Sequence, residues 1–497
     1  MAELKHSTLN ATLRGVDLGR VRQFRGIQYG RIPGRFKQPE MMNGWEGKVV
    51  DCTKYGPRCP QNHYDVGHLL RIPEEHVFEK EEESEFGCLN LDVTVPLDLR
   101  GRKGSLPVLV WIHGGSQIMT FGSGASRICD TTKIIDDSIL QGKPIIVVSI
   151  TYRLNIFAFG DCKGEVNLAL KDQRLAIEWV QKHIEGFGGD TGNVTLAGES
   201  AGAVYVHAHV VAGAPLNRAI LSSGSLYLSP PLPLSRGQAT VEALEHKLKE
   251  AGHGSLQDAP VYAILKSQAD LALNSLWLQD EPILSDWQMK TGDARDLLVG
   301  DVEYESIIWR NGVEAMTSRM IAESFAKAGE YSSQLSNIYC ISPNRPTPSK
   351  IGALDFMADV RFGLAVRKIV ALWKSVGKPA YRYIVDQANP WQASSRAHHA
   401  VDLVLLFGGL DLSFNPGAEK VGREMRMRWI SFVNGEAPWS KEQCFAFGPF
   451  GECKEIDVDQ FAARRRVKHL DLLEKMDGAN INACFGALAA GRISLLN

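Results

Sequence analysis

Pro107-Val-Leu-Val-Trp-Ile112 is apolar at every position and stops abruptly at His113-Gly114-Gly115. A strand with one face in water alternates apolar and polar residues, whereas a strand apolar throughout is covered on both faces. Pro144-Ile-Ile-Val-Val-Ser-Ile150 repeats the pattern, and Asn193-Val-Thr-Leu-Ala197, Arg218-Ala-Ile-Leu-Ser222 and Tyr381-Arg-Tyr-Ile-Val385 are further short β-prone runs. Between them, Lys171–His183 sets Leu175, Ile177, Trp179 and Val180 among charged residues at helical spacing, and Ala201–Val211 is small and apolar. Doubly covered strands alternating with helices predict an α/β architecture: a mostly parallel, twisted sheet with helices on both faces. From about 235 to 295 and from 310 to 375 the patterns turn helical, as in Ala239–Ala251 and Met316–Ala328. We read these segments as helical insertions around an active-site gorge. Length alone would divide 497 residues into about three domains. No linker or repeat interrupts the pattern, so the expectation is one domain over residues 1–497.

The bulk properties exclude several function classes. A net charge of −2 creates no global field for nucleic acid or an anionic membrane surface. The acidic stretch Glu79–Glu83 reads as a solvated loop, and Arg464–Arg466 as an exposed helix face. No apolar run approaches the roughly 18 residues of a membrane span. The opening MAELKHSTLNATLRG has no apolar signal-peptide core, so the expected location is cytoplasmic, and the sequons at Asn10 and Asn193 read as chance. Nine cysteines without CxxC spacing speak against a zinc site and against a full disulfide framework. Nothing in the residues speaks to oligomeric state.

Gly198-Glu199-Ser200-Ala201-Gly202 matches G-x-S-x-G, directly after the Asn193–Ala197 run and before the small-residue helix. The spacing has a mechanical reason. A serine nucleophile must sit on a sharp strand-to-helix turn so that its hydroxyl leaves the sheet, and small residues on either side let the flanking elements pass closely. His113-Gly114-Gly115 follows its own strand in the place where such an enzyme builds an oxyanion site. The amides of Gly114, Gly115 and Ala201 are the candidate donors. In this fold an acid and then a histidine follow the serine in chain order. Leu297–Ser306 is a strand ending in three carboxylates, Asp301, Glu303 and Glu305, which spacing alone does not separate. Arg396-Ala-His-His-Ala-Val-Asp402 supplies two adjacent histidines, His398 and His399. A metal pair is the rival reading, but no acid or thiol stands at ligand spacing, so no metal and no organic cofactor is expected.

These motifs together resemble the type-B carboxylesterase family, which also contains the cholinesterases, over about residues 12–455. Phe24-Arg-Gly-Ile-Gln-Tyr29, Gly56-Pro-Arg-Cys59, Ser84-Glu-Phe-Gly-Cys88, Asp172-Gln-Arg-Leu-Ala-Ile-Glu-Trp179, Phe187-Gly-Gly-Asp190 and Arg218–Gly224 carry the resemblance beside the serine motif. It implies the α/β-hydrolase fold. It implies Glu305 as the acid, five residues after Gly300, and His399 as the base, nine residues before Gly408. Glu199 and Asp402 match acidic positions that support the histidine in relatives, and Cys59 and Cys88 match a disulfide pair of secreted members. Ser116 stands where many members have a third glycine or an alanine. The chain resembles intracellular fungal-type members. The expected activity is hydrolysis of a small-molecule ester, neutral and hydrophobic, through an acyl-enzyme on Ser200. Acyl transfer or lactone chemistry with the same triad is the alternative, and a non-catalytic binding protein the rival from another class.

Overall fold

The computed structural model describes residues 2–97 and 104–489. Its backbone is organised by a 13-stranded sheet. In chain order the strands along its main path are β1 (Ala2–His6), β2 (Ala11–Leu18), β3 (Val21–Gln28), β4 (Asn90–Pro96), β5 (Leu106–Ile112), β6 (Ile146–Ile150), β7 (Gly189–Glu199), β8 (Arg218–Ser222), β9 (Asp296–Val302), β10 (Ala380–Val385), β11 (Cys444–Phe447) and β12 (Cys453–Ile456). The spatial order is β1-β2-β3-β4-β6-β5-β7-β8-β9-β10-β11-β12. From β6 to β11 every pairing is parallel, and the flanks are antiparallel. Of this sheet, the apolar runs foretold the parallel centre. The N-terminal antiparallel strands are amphipathic, with β2 reading buried–intermediate in alternation, and carry a weaker signal.

Residues of one strand feed two cores. Val108, Val110 and Ile112 of β5 join the core on one face, whereas Leu109 and Trp111 join the core on the other. That division is the physical content of a strand with no polar position, since the period of two sends successive side chains to opposite faces. Helices Leu168–His183 and Ala201–Val211 cover the first face, and Val401–Phe407 and Pro416–Val433 cover the second. The β8–β9 connection holds helices Leu234–Glu250 and Val261–Asp270. The β9–β10 connection holds Ser318–Ala326, Ser332–Ile338, Pro346–Ala358 and Leu364–Ser375. The latter group packs with the C-terminal helices Val467–Lys475 and Gly478–Ala489 into a core of its own. This is the α/β-hydrolase fold, with its parallel strands aimed at one edge.

Two polar features brace that edge. Arg153 and Asp172 are 2% and 0% exposed and form a bidentate pair, Nε to Oδ2 at 2.8 Å and Nη2 to Oδ1 at 2.6 Å. Arg464–Arg466 is a correction to the expected solvated helix face. The run lies between two helices, and its guanidiniums clamp Asp386, Asp301 and Asp359 at 2.8–3.1 Å. Three adjacent cations are tolerable there because each meets a carboxylate from a different strand end or helix. Cys59 and Cys88 are buried neighbours, and the Cys59 sulfur, with burial, pushes the Cys88 thiol up.

Removing one member of the buried Arg153–Asp172 pair strands the other charge. Asp172→Asn is therefore expected to cost about 3–5 kcal/mol, read as a lowered urea midpoint. Glu178→Gln, which breaks the exposed Arg174–Glu178 pair, should cost less than about 1 kcal/mol. Equal effects from the two substitutions would contradict the argument.

Candidate active site

Parallel strands deliver the site residues to the carboxyl edge of the sheet, where open α/β sheets bind their ligands. Ser200 follows β7 at φ 54° and ψ −125°, a strained conformation for a residue with a Cβ. The flanking glycines make the turn feasible. A Cβ on Gly198 would lie 2.5 Å from the Gly202 carbonyl carbon, and one on Gly202 would lie 2.2 Å from the Ile112 oxygen. The Ser200 amide donates to Ser222 O at 3.0 Å, which ties the turn to the end of β8.

The acid and histidine loops are joined by backbone. Tyr304 N donates to Ala397 O at 2.8 Å and His399 N donates to Tyr304 O at 3.2 Å. This bridge sets the two side chains face to face. His399 Nδ1 donates to Glu305 Oε2 at 2.5 Å, and His399 Nε2 lies 2.9 Å from Ser200 Oγ. Glu305 Oε1 accepts from Val302 N at 2.9 Å, so the carboxylate is held at both ends. The other two carboxylates that spacing left open are engaged elsewhere: Asp301 with Arg465 at 2.9 Å and Glu303 with Arg396 at 2.8 Å. Each acid of that stretch has its own cation, and only Glu305 has the histidine.

His398 is tied away from Ser200. It accepts from Asn389 Nδ2 at Nε2, 2.9 Å, and donates from Nδ1 to His399 O, 2.9 Å. Burial pushes it down to about 4, so it stays neutral. Glu199 Oε1 stands 3.3 Å from His399 Nε2. Asp402 makes no hydrogen bond to the ring. It accepts from Ser222 Oγ at 2.6 Å, and Ser222 in turn accepts from Tyr383 at 2.8 Å. Its influence on His399 is through-space charge. Burial by itself lowers His399, but the carboxylates of Glu199 and Glu305 outweigh it and push it up to about 9. Burial raises Glu199, and a charged His399 beside it pulls it back, so its negative charge belongs to the state in which the ring is an imidazolium.

The loop after β5 supplies the other wall. Gly115 has φ 118°, and a Cβ there would fall 2.0 Å from Met119 O. Ser116 and Gln117 hold φ 54° and 66°, so Ser116 adopts the left-handed conformation that a glycine would take freely. The loop is braced by His113, which stacks on Tyr152 at 4.4 Å and donates from Nδ1 to Gly114 O at 2.8 Å. Gly114 forms an antiparallel bridge with Phe121, whose amide donates to Gly114 O at 3.2 Å, whereas among the described residues the Gly115 amide finds no acceptor. Ala201 is the first residue of its helix, whose leading amides have no intrahelical partner. Gly115 and Ala201 border a cavity of about 650 Å³ that Ser200 and His399 also line, with Gly114 set behind them.

Trp277 of the first inserted segment and Trp309, just before the second, line that cavity. Trp287 packs on Tyr227 and His207, and Phe325 and Phe356 are core. Phe362 lies edge-on to the His399 ring at 5.6 Å. Two contributions come from parts of the chain that the motifs do not mark. Phe485, Asn482, Gly486 and Ala489 of the C-terminal helix line the cavity, although Ile481, Cys484, Phe485 and Leu488 carry the i, i+3, i+4, i+7 signal of a helix. Arg361 also lines it, from a π-helical turn that no periodicity announces. Among the described residues, no group of three or more His, Cys, Asp or Glu is arranged to hold a metal, and no helix is long and apolar enough to cross a membrane.

The sequence pattern described as the carboxylesterase family matches residues 3–276. Lipase 3 of Yarrowia lipolytica is 30% identical over 98% of this chain and 99% of its own length. The para-nitrobenzyl esterase of Bacillus subtilis is 26% identical over 87% of this chain and 90% of its own. The crystal structure of a Geobacillus stearothermophilus carboxylesterase superposes with a TM-score of 0.73 at 24% identity, covering 93% of this chain and 100% of that one.

Two measurements follow from the geometry. Glu305→Gln is expected to cost about 10³–10⁴ in kcat, because an amide no longer demands the tautomer with hydrogen on Nδ1. Glu303→Gln, which loses only the Arg396 pair, should cost less than about tenfold. The reverse ranking would move the acid by two residues. The second concerns pH. A base must be neutral to accept a proton, so kcat/KM should rise with pH through an ascending limb above the ordinary histidine value. Glu199→Gln removes the strongest raising charge and should shift the limb to lower pH. A limb that does not move would show that Glu199 carries no charge beside His399.

Proposed function

This chain belongs to the carboxylesterase family, and from that premise we propose that its ester hydrolysis runs through Ser200 as nucleophile, His399 as base and Glu305 as the acid that orients it. The observation that carries the reading is the unbroken line Ser200 Oγ–His399–Glu305, at 2.9 and 2.5 Å. Neutral His399 carries its hydrogen on Nδ1, facing Glu305, which leaves the Nε2 lone pair for the serine proton. As Oγ attacks the ester carbonyl, negative charge grows on the carbonyl oxygen. The amides of Gly114, Gly115 and Ala201 are the donors for it, and each such donor is worth about 10²–10³ in rate. Protonated His399 then gives its proton to the departing alcohol. Water, deprotonated by the same ring, releases the acid from the acyl-enzyme. Glu305 and Glu199 stabilise the imidazolium in both halves.

The substrate reading is a neutral, hydrophobic ester. Trp277, Trp309, Phe485, Leu273, Leu276 and Ile308 line the cavity, and its volume lies within the usual range for small-molecule sites. Burial of a methylene against such walls contributes about 0.8 kcal/mol, equivalent to roughly fourfold in affinity.

Labelling with an organophosphate and mapping the peptide tests the nucleophile. The expected adduct is on Ser200 alone, and Ser200→Ala should lower kcat on the order of 10⁶. A label on Ser116, Ser222 or Ser223 would overturn the assignment. For the substrate class, kcat/KM should climb from p-nitrophenyl acetate to butyrate by up to about fourfold per methylene, with acetylcholine a poor substrate. A steady fall with acyl length would refute the apolar reading and leave the triad untouched.

A further inference from the structure

The catalytic cavity contains a cation that the hydrolytic reading does not use. Arg361 lines the cavity from the π-helical turn Asp359–Gly363, between helices Pro346–Ala358 and Leu364–Ser375. Its guanidinium carbon lies 3.9 Å from the centroid of the Phe485 ring, and Nη1 donates to Tyr227 O at 3.1 Å. Its Nε is buried and has no hydrogen-bond partner.

No acid answers this charge. Among the described residues Arg361 has no carboxylate within ion-pair distance, and burial is the sole influence on it, pushing the guanidinium down to about 10. It remains a cation at neutral pH. The acids on its own helix are engaged elsewhere. Asp359 receives Arg466 at 2.8 Å and Tyr339 at 2.9 Å, and Asp355 pairs with Arg466 at 3.1 Å. Glu199, the acid that lines the cavity, faces His399 instead.

An unpaired, partly desolvated charge is costly to maintain, and buried cations normally have partners. A π-helical turn is a poor way to build a plain helix and is frequent at functional sites. The turn also places Phe362, the next residue, against the His399 ring. The cation is therefore carried on the same turn that touches the catalytic histidine. With Nε closed off by burial, Nη2, which is not buried and makes no hydrogen bond among the described residues, and Nη1 beside it are the donors left to a ligand, and a guanidinium end in an apolar pocket suits a planar carboxylate.

We propose that Arg361 is a specificity residue that receives a carboxylate of the substrate, making the preferred esters ones that are hydrophobic along most of their length and carry a carboxylate away from the scissile bond. The inference rests on the esterase reading of the same cavity and replaces its wholly neutral ester by one that is apolar apart from a single carboxylate. Methylene walls contribute affinity, and the guanidinium selects which end carries the charge.

The experiment compares each carboxylate ester with its methyl-capped neutral counterpart. One arm puts the carboxylate on the acyl side, as in mono-p-nitrophenyl adipate and suberate. The other puts it on the alcohol side, as in 4-carboxyphenyl butyrate. The readout is the ratio of kcat/KM, carboxylate over capped ester, so that any general damage to the enzyme cancels. In at least one arm the ratio should fall about 10- to 100-fold in Arg361→Met, the range expected for hydrogen bonds to a charged group. Arg361→Lys should retain part of the ratio, because it keeps the charge without the fork. The loss should reside mainly in KM. Direct binding of the same ester pair to Ser200→Ala should show the same discrimination without turnover. A ratio unchanged by Arg361→Met in both arms overturns the proposal. So does a collapse of the ratio in Arg236→Met instead, since Arg236 is the other, exposed cation lining the cavity. Hydrolysis by Ser200→Ala at the wild-type rate would instead refute the esterase reading itself, which keeps the two failures apart.

Discussion

Ser200 stands at φ 54° and ψ −125°, a conformation that costs about 1–3 kcal/mol. Only a surrounding structure that over-determines the turn keeps it there, and that structure is the parallel sheet. The amide of Ser200 is held by the end of β8, the flanking glycines admit Gly202 against Gly198 and the Ile112 carbonyl, and Gly224 passes so close that a Cβ would sit 2.2 Å from the Ser200 oxygen. Strain at this point puts the hydroxyl outside the sheet and leaves the first amides of helix Ala201–Val211 beside it. The rest of the site is arranged around that hydroxyl.

Charge is distributed just as economically. The edge near the serine carries Glu199, Asp301, Glu303, Glu305, Asp386 and Asp402, a concentration of acids that would repel one another if left unsorted. Arg465 and Arg464 take Asp301 and Asp386, Arg396 takes Glu303, Ser222 takes Asp402, and His399 takes Glu305. Glu199 alone has no hydrogen-bond donor at either oxygen and is buried 3.3 Å from the histidine. A carboxylate in that position stabilises the imidazolium that forms when serine attacks. The same sorting is absent at Arg361, which lines the same cavity with a ring and a carbonyl for company but no acid. One cavity thus holds a histidine paired with acids and a guanidinium with none.

The sequence by itself determined the parallel centre of the sheet, because strands buried on both faces read as near-continuous apolar runs: β5 has no polar position and β6 only Ser149. It also determined the serine turn, because only small residues fit at positions two before and two after Ser200, and it located the glycine loop after β5. The order serine, acid, histidine narrowed the remaining candidates to short stretches. What the residues alone left open was which of several like groups does what: Asp301, Glu303 and Glu305 share a period of two, and His398 and His399 share a loop. Tertiary structure decides which of them meet, bringing Glu305 to His399 while Arg465, Arg396 and Asn389 arrive from distant parts of the chain to hold Asp301, Glu303 and His398. The same holds for Arg464–Arg466, whose charge reads as solvated until the strand ends that supply its carboxylates are brought beside it. Arg361 is the extreme case. Its position in the cavity depends on a π-helical turn and on a C-terminal helix more than a hundred residues away, and neither local propensity nor periodicity encodes a contact between elements that meet only when the core closes.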